Sequence, residues 1–199
     1  MSTLKKILSL RTPKPKYKVL SPIQKRFSPR VFSSDQIPEE TMNILFEAAR
    51  LAPSARNYQP WHFYWMRNGS QAFNQLIACM SELNHWAKSA NVLIVAAFDP
   101  VDRDSKDGKN KWVLYDLGQS VLSLILQAQE LGIYARQIGI FDTEKAHKML
   151  NIPAKYHAFV TIALGKIGRE EDYHTADQQY VQKDLTSADK RKTISEKKG

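Results

Sequence analysis

The sequence predicts an α+β domain around a mixed β-sheet. Two runs of strand length, VLIVAAF at 92–98 and FVTIALG at 159–165, are apolar almost throughout, as strands buried on both faces require. Amphipathic helical stretches are interspersed with the strands without a regular βαβ beat, which favours α+β over a doubly wound sheet. The chain has 199 residues and a single cysteine, Cys79, enough for one sizeable core and too few thiols for an internal disulfide.

The elements follow in order. Pro13, Pro15, Pro22 and Pro29 forbid a long helix through the first thirty residues, which are expected to extend over the surface. Residues 1–21 therefore read as a basic N-terminal extension and 22–199 as one domain. Pro38, Glu39 and Glu40 open a helix, because proline suits a first turn and acids complement its dipole. Met42, Leu45, Phe46 and Ala49 recur at helical spacing until Pro53 ends the run. The aromatic stretch 61–66 is a strand closed by Asn68-Gly69, and Phe73, Leu76, Ile77 and Met80 mark the next helix. Residues 92–98 form a central strand, followed by a polar loop from Asp102 to Lys111. A long helix through Leu114, Leu117, Val121, Leu124, Ile125, Ala128 and Leu131 has an apolar face wide enough for a central helix or a subunit interface. Gly132 is placed to cap it in the left-handed region. A strand at 133–138, a helix capped by Asp142 and the strand at 159–165 complete the regular part, and the chain is polar from Arg169 onward.

The net charge of +9 is unevenly placed. Residues 1–34 hold nine Lys or Arg and no acid, and residues 189–199 hold five against two acids, which leaves 35–188 at −3. Three readings stay open: solvated arms, cations that reach one phosphate-bearing ligand, or contact with nucleic acid or an anionic surface. No nucleic-acid module is visible. No apolar run approaches the roughly 18 residues a membrane helix requires. The opening MSTLKKILSL lacks the order of a secretory signal. The expected setting is cytoplasmic, with neither membrane nor nucleic acid as partner.

Chemistry-bearing motifs are sparse. GxGxxG, GxxxxGK, GxSxG and HExxH are absent, and the five histidines lack metal-ligand spacing. Catalytic side chains are therefore expected to be none, with the reaction carried by a bound cofactor. Three constellations remain. RFSPRVF, 26–32, brings two guanidinium forks and a hydroxyl together on a proline-stiffened segment, which reads as a phosphate cradle or as a solvated basic loop. APSARNYQPW, 52–61, gathers amides and carboxamides into one constrained turn; it reads equally as a helix stop with local bonding. RQIGIFD, 136–142, offers Gly139 for close backbone approach, or as a plain turn glycine.

Taken in order, these pieces resemble the nitroreductase family of FMN-dependent oxidoreductases. Its R-x-S-x-R-x-F pattern corresponds to Arg26, Ser28, Arg30 and Phe32, and its APS-x-x-N-x-QPW loop to 52–61. Further matches are Asn84, Trp86 and Ala87, then Asp116 to Gly118, Gln137 to Asp142, and Arg191 with Lys192. The resemblance implies a dimeric α/β sandwich with a mixed, mostly antiparallel central sheet flanked by helices. It also implies a homodimer with two FMN sites at the interface and NADH or NADPH as electron donor. Arg26, Ser28, Arg30 and Arg191 would hold the phosphate and ribityl chain, with Phe27 beside them where relatives carry a basic residue. Pro53, Ser54, Ala55 and Asn57 would come from the partner subunit. Asn84 would meet the pyrimidine edge, and Gln137, Ile138 and Gly139 would lie near the reactive ring. Hydride would pass from the nicotinamide through FMN to a small acceptor by a ping-pong route. The competing reading keeps the flavin without turnover, as in a redox sensor or regulator. Ile140 in place of a second glycine, and a short loop after Phe98, would alter the ring's surroundings and open the acceptor side towards Trp112 or Tyr115.

Overall fold

Four strands make one antiparallel sheet in the order β1 (Trp61–Arg67), β2 (Val92–Phe98), β4 (His157–Lys166) and β3 (Ile133–Ile138). The structure is a computed structural model that describes residues 1–102 and 104–186. The two apolar runs occupy the central pair β2 and β4, as burial on both faces demands. Alternation along β2 sends Val92, Ile94 and Ala96 to one face and Leu93 and Val95 to the other.

The first face is covered by α3 (Glu39–Arg50) and α5 (Val113–Glu130) through Leu45, Leu117, Leu124 and Ile162. The Ser120 hydroxyl donates to the Ala49 carbonyl at 2.9 Å and locks these two helices together. Gly132 caps α5 at φ +72°, as its position in the sequence leads one to expect. The second face is covered by α4 (Gln71–Ile77), the 3₁₀ segment Glu82–Ser89 and α6 (Thr143–Met149), which pack Phe73, Leu76, Trp86 and Ala146. Asp142 caps α6 by accepting from the Lys145 amide at 2.9 Å.

The N-terminal residues differ from expectation. Rather than extending over the surface, Thr3–Arg11 form a helix, α1, followed by a short α2 (Ser21–Lys25). The prolines begin only at Pro13, so they shorten the helix without preventing it. α1 docks against α7 (Glu170–Thr175) and α8 (Gln178–Thr186). Ile7 is fully buried beside Phe27, Val31, Tyr173 and Val181. The Glu170 carboxylate accepts from the Thr3 and Leu4 amides at 2.8 and 3.1 Å, neutralising the positive end of α1.

Segment 31–33 lies along the far end of β4. Ser33 N donates to Lys166 O at 3.0 Å and Gly168 N to Val31 O at 3.1 Å. Gly165 makes this possible, because a Cβ there would stand 2.7 Å from the Phe32 ring. One face of α5 and the adjoining α3 keep Tyr115, Leu122, Ile44 and Leu51 exposed. Among the described residues no helix is long and apolar enough to cross a membrane.

Candidate functional site

Three segments that are distant in sequence are tied together by hydrogen bonds. The first is 26–30, which leaves α2 at Arg26. Phe27 turns into the core at 3% exposure, with its ring edge-on to Tyr134 at 5.1 Å and the Arg11 guanidinium 5.5 Å above it. The aromatic side chain at this position therefore anchors the segment, leaving the polar work to its neighbours. The Ser28 carbonyl accepts from Arg136 Nη1 at 2.6 Å. Arg30 donates its backbone N–H to Asp184 Oδ2 at 2.8 Å and its Nη1 to Oδ1 at 2.6 Å.

The second segment is the 3₁₀ stretch 82–89. Its Ser89 hydroxyl donates to the Arg30 carbonyl at 3.4 Å, and the Trp86 ring lies 5.1 Å beneath the Arg136 guanidinium. Asn84 is half-buried and held loosely: Nδ2 reaches Ile140 O at 3.4 Å and Ser81 Oγ at 3.5 Å, while Oδ1 accepts from Trp86 Nε1 at 3.3 Å. Bonds of that length are weak and are easily exchanged for better ones.

The third segment is the end of β3. Strand alternation puts Arg136 on the same face as Tyr134 and buried Ile138, and leaves Gln137 exposed on the other. Gly139 and Ile140 are exposed, and a Cβ added at Gly139 would meet nothing within 4 Å. β3 thus ends at buried Ile138, and Gly139 beyond it fronts open space beside the Ile140 carbonyl that Asn84 reaches.

The electrostatics of this junction are dominated by arginine. Burial pushes the Arg136 guanidinium down to about 10, the nearby charges of Arg30 and Arg11 add to that, and Asp184 opposes it. Asp184 is fully buried against Arg30. Sequence singled out Arg136 only as the first residue of the 136–142 constellation, with no role, and did not single out Asp184. Arg136 did leave a signal, since a charge alternating with Tyr134 and Ile138 breaks the apolar pattern of a buried face. Asp184 left none, because its role depends on where α8 docks. Arg191 lies outside the described residues.

Residues 53–57 stand elsewhere. Among the described residues no hydrogen bond joins them to the three segments above, so the residues predicted from sequence fall into two separate groups on one chain. The loop is strained: Arg56, Asn57 and Gln59 have φ of 51°, 59° and 48°, a region that costs non-glycine residues energy and clusters at functional sites. α5 holds it in place. Buried Asp116 accepts from the Ala55 amide at 3.1 Å, and the Ser54 hydroxyl accepts from the Gln59 amide at 3.0 Å. The Tyr58 hydroxyl donates to Asp102 at 3.0 Å and contacts Asp104, pinning the loop to the segment after β2. Pro53 and Asn57 are exposed, and Ser54 and Ala55 half-buried.

The chain matches the sequence profile of the Nitroreductase family over residues 23–88 and 75–166. It belongs to the nitroreductase family. A protein of Archaeoglobus fulgidus, provisionally named NADH dehydrogenase/NAD(P)H nitroreductase, is 33% identical over 168 residues, covering 81% of this chain and 92% of that protein. The crystal structure of an oxidoreductase containing FMN superposes with a TM-score of 0.81 at 25% identity, covering 92% of this chain and 91% of the other. A provisionally named nitroreductase from Desulfovibrio desulfuricans, solved in complex with FMN, shares the fold at a TM-score of 0.68 and 22% identity, covering 92% and 95%. In this nitroreductase-family chain the matched span holds most of both groups of candidate residues, whereas α1, α7 and α8 lie outside it.

Proposed function

We propose that this protein is an FMN-dependent NAD(P)H oxidoreductase that acts on a small acceptor such as a quinone or nitroaromatic. The supporting observation is the junction of segments 26–30, 82–89 and 136–140, which brings the guanidinium groups of Arg30 and Arg136 beside the single carboxylate of Asp184. A surplus of guanidinium groups fits a phosphate dianion, which accepts from their forks. The other donors fit the rest of FMN: Asn84 can exchange its long bonds for a heterocycle edge, and Gly139 fronts open space. Arg26 and Ser28 would join Arg30 on the phosphate and ribityl chain.

The chemistry a bound FMN supplies is acceptance of hydride from a nicotinamide and return of the electrons to a second substrate. This chain's own residues orient and stabilise. The Ile138–Gly139 backbone would present polar groups to the ring, and the buried charge of Arg136 would favour anionic character on it. Loop 53–57 needs a neighbour that carries the other half-site, and a second copy of the chain supplies one. The exposed apolar residues Tyr115, Leu122, Ile44 and Leu51 on α5 and α3 suit such an interface. Donor and acceptor would then use one ring face in turn, a ping-pong scheme.

The test is spectroscopic. The purified protein is expected to carry one FMN per chain, to lose its yellow colour with NADPH or NADH, and to regain it with a quinone. Double-reciprocal plots at several acceptor concentrations are expected to be parallel. Protein that takes up no added FMN would overturn the assignment, and intersecting lines would overturn the kinetic scheme.

A further inference from the structure

A cavity of about 1060 Å³ opens beside loop 53–60, walled by residues 100–102 and 105–112 and by His157. Ligand pockets commonly span roughly 300–1,000 Å³, so this one exceeds what a single-ring quinone or nitroaromatic fills. Its wall is cationic, with Arg56, Lys106, Lys109 and Lys111 against Asp102 and Asp107.

Both acids are already engaged. Asp102 accepts from the Asp104 amide at 2.9 Å and the Tyr58 hydroxyl at 3.0 Å, close to Arg56. Asp107 accepts from the Lys109 amide at 3.2 Å and the Ser105 hydroxyl at 3.0 Å. Among the described residues Lys106 and Lys111 form no ion pair, and both are exposed. Lys111 lies 5.4 Å from the ring centre of Trp112, itself 52% exposed. Trp112 immediately precedes the 18-residue helix α5, whose first amides add positive potential at the same place. Asn110 is 5% exposed in this wall, and its Nδ2 has no acceptor.

We infer that this cavity docks the adenosine-phosphate half of the nicotinamide donor, with Lys106 and Lys111 on its phosphates and Trp112 offering an aromatic face to the adenine. The inference rests on the flavin oxidoreductase reading above and deepens it. Loop 53–60 walls both the cavity and the proposed flavin slot, so a dinucleotide can span from one to the other. Because the lysines are not balanced by free carboxylates, the 2′-phosphate adds a favourable contact, and NADPH is preferred to NADH.

The double variant Lys106→Gln, Lys111→Gln tests this; both side chains are exposed, so the fold is unaffected. Calorimetric titration with 2′,5′-ADP, an adenosine fragment that needs no flavin, is expected to show binding to the native protein and at least a roughly tenfold loss in the variant, the size of a lost charged hydrogen bond. The KM for NADPH is expected to rise about tenfold and that for NADH less, with kcat, FMN content and the KM for menadione unchanged. Absent or unaltered 2′,5′-ADP binding overturns the assignment, as does a rise confined to the menadione KM, which would make the cavity an acceptor site. Protein that binds no FMN yet loses 2′,5′-ADP binding in the variant would sink the flavin reading and leave the cavity assignment standing.

Discussion

Replacing Asp184 with asparagine removes the carboxylate that faces Arg30 and Arg136. The carboxylate accepts from Arg30 Nη1 at 2.6 Å and from the Arg30 amide at 2.8 Å while fully buried. Breaking a buried pair costs about 3–5 kcal/mol. The Arg30 side chain retains 16% exposure, and asparagine keeps one acceptor, so the lower end, about 3 kcal/mol, applies here. For chains of this size 1 kcal/mol moves Tm by about 2–4 °C, giving a fall of about 6–12 °C in FMN-free protein followed by circular dichroism. The junction is read as an anion cradle, so phosphate should restore more stability to the variant than to the native protein, with chloride at equal ionic strength as the control. A Tm change under about 2 °C would show that Asp184 does not hold the junction, and phosphate acting equally on both proteins would show that the junction is no anion cradle.

Three further outcomes are expected. Arg136→Met should raise the FMN dissociation constant about tenfold while costing FMN-free protein little stability. Burial pushes the guanidinium down to about 10 in the fold, so its charge is a penalty at neutral pH that fades only as pH rises past that value, and fluorescence titration with matched melts checks both effects. Ile7→Ala should cost about 2–5 kcal/mol in urea unfolding, since Ile7 is fully buried; a solvated arm would give under about 0.5 kcal/mol. Asp116→Ala should free the Ala55 amide and relax the strained backbone of loop 53–60. Limited proteolysis should then cut within that loop faster than in native protein, whereas equal rates would show that the carboxylate does not hold it.

The strands and the α3 and α5 helices were legible because their signals are local: apolar runs of strand length, helical periodicity, and punctuation by Pro53 and Gly132. The N-terminal helix was not. Its burial depends on α7 and α8, whose polar sequences gave no hint that Ile7 would find a core beside Tyr173 and Val181. At the candidate site, motif spacing brought out Arg26, Ser28, Arg30 and Gly139, the family resemblance added Asn84, and the structure draws their segments together. What spacing does not carry is the pairing across the fold: Asp184 against Arg30, Arg136 against the Ser28 carbonyl, and Asp116 against the Ala55 amide. The positive φ angles at Arg56, Asn57 and Gln59 were equally hidden, because no glycine marks them.

Each FMN is proposed to sit between the arginine junction of one chain and loop 53–57 of another, and mixing subunits tests that arrangement. A variant with Arg26→Glu spoils only the junction, and one with Ala55→Trp spoils only the loop, so neither homodimer should retain FMN. In their heterodimer one site joins an intact junction to an intact loop, and the account predicts one FMN per mixed dimer. Mixed dimers that bind no FMN would contradict it.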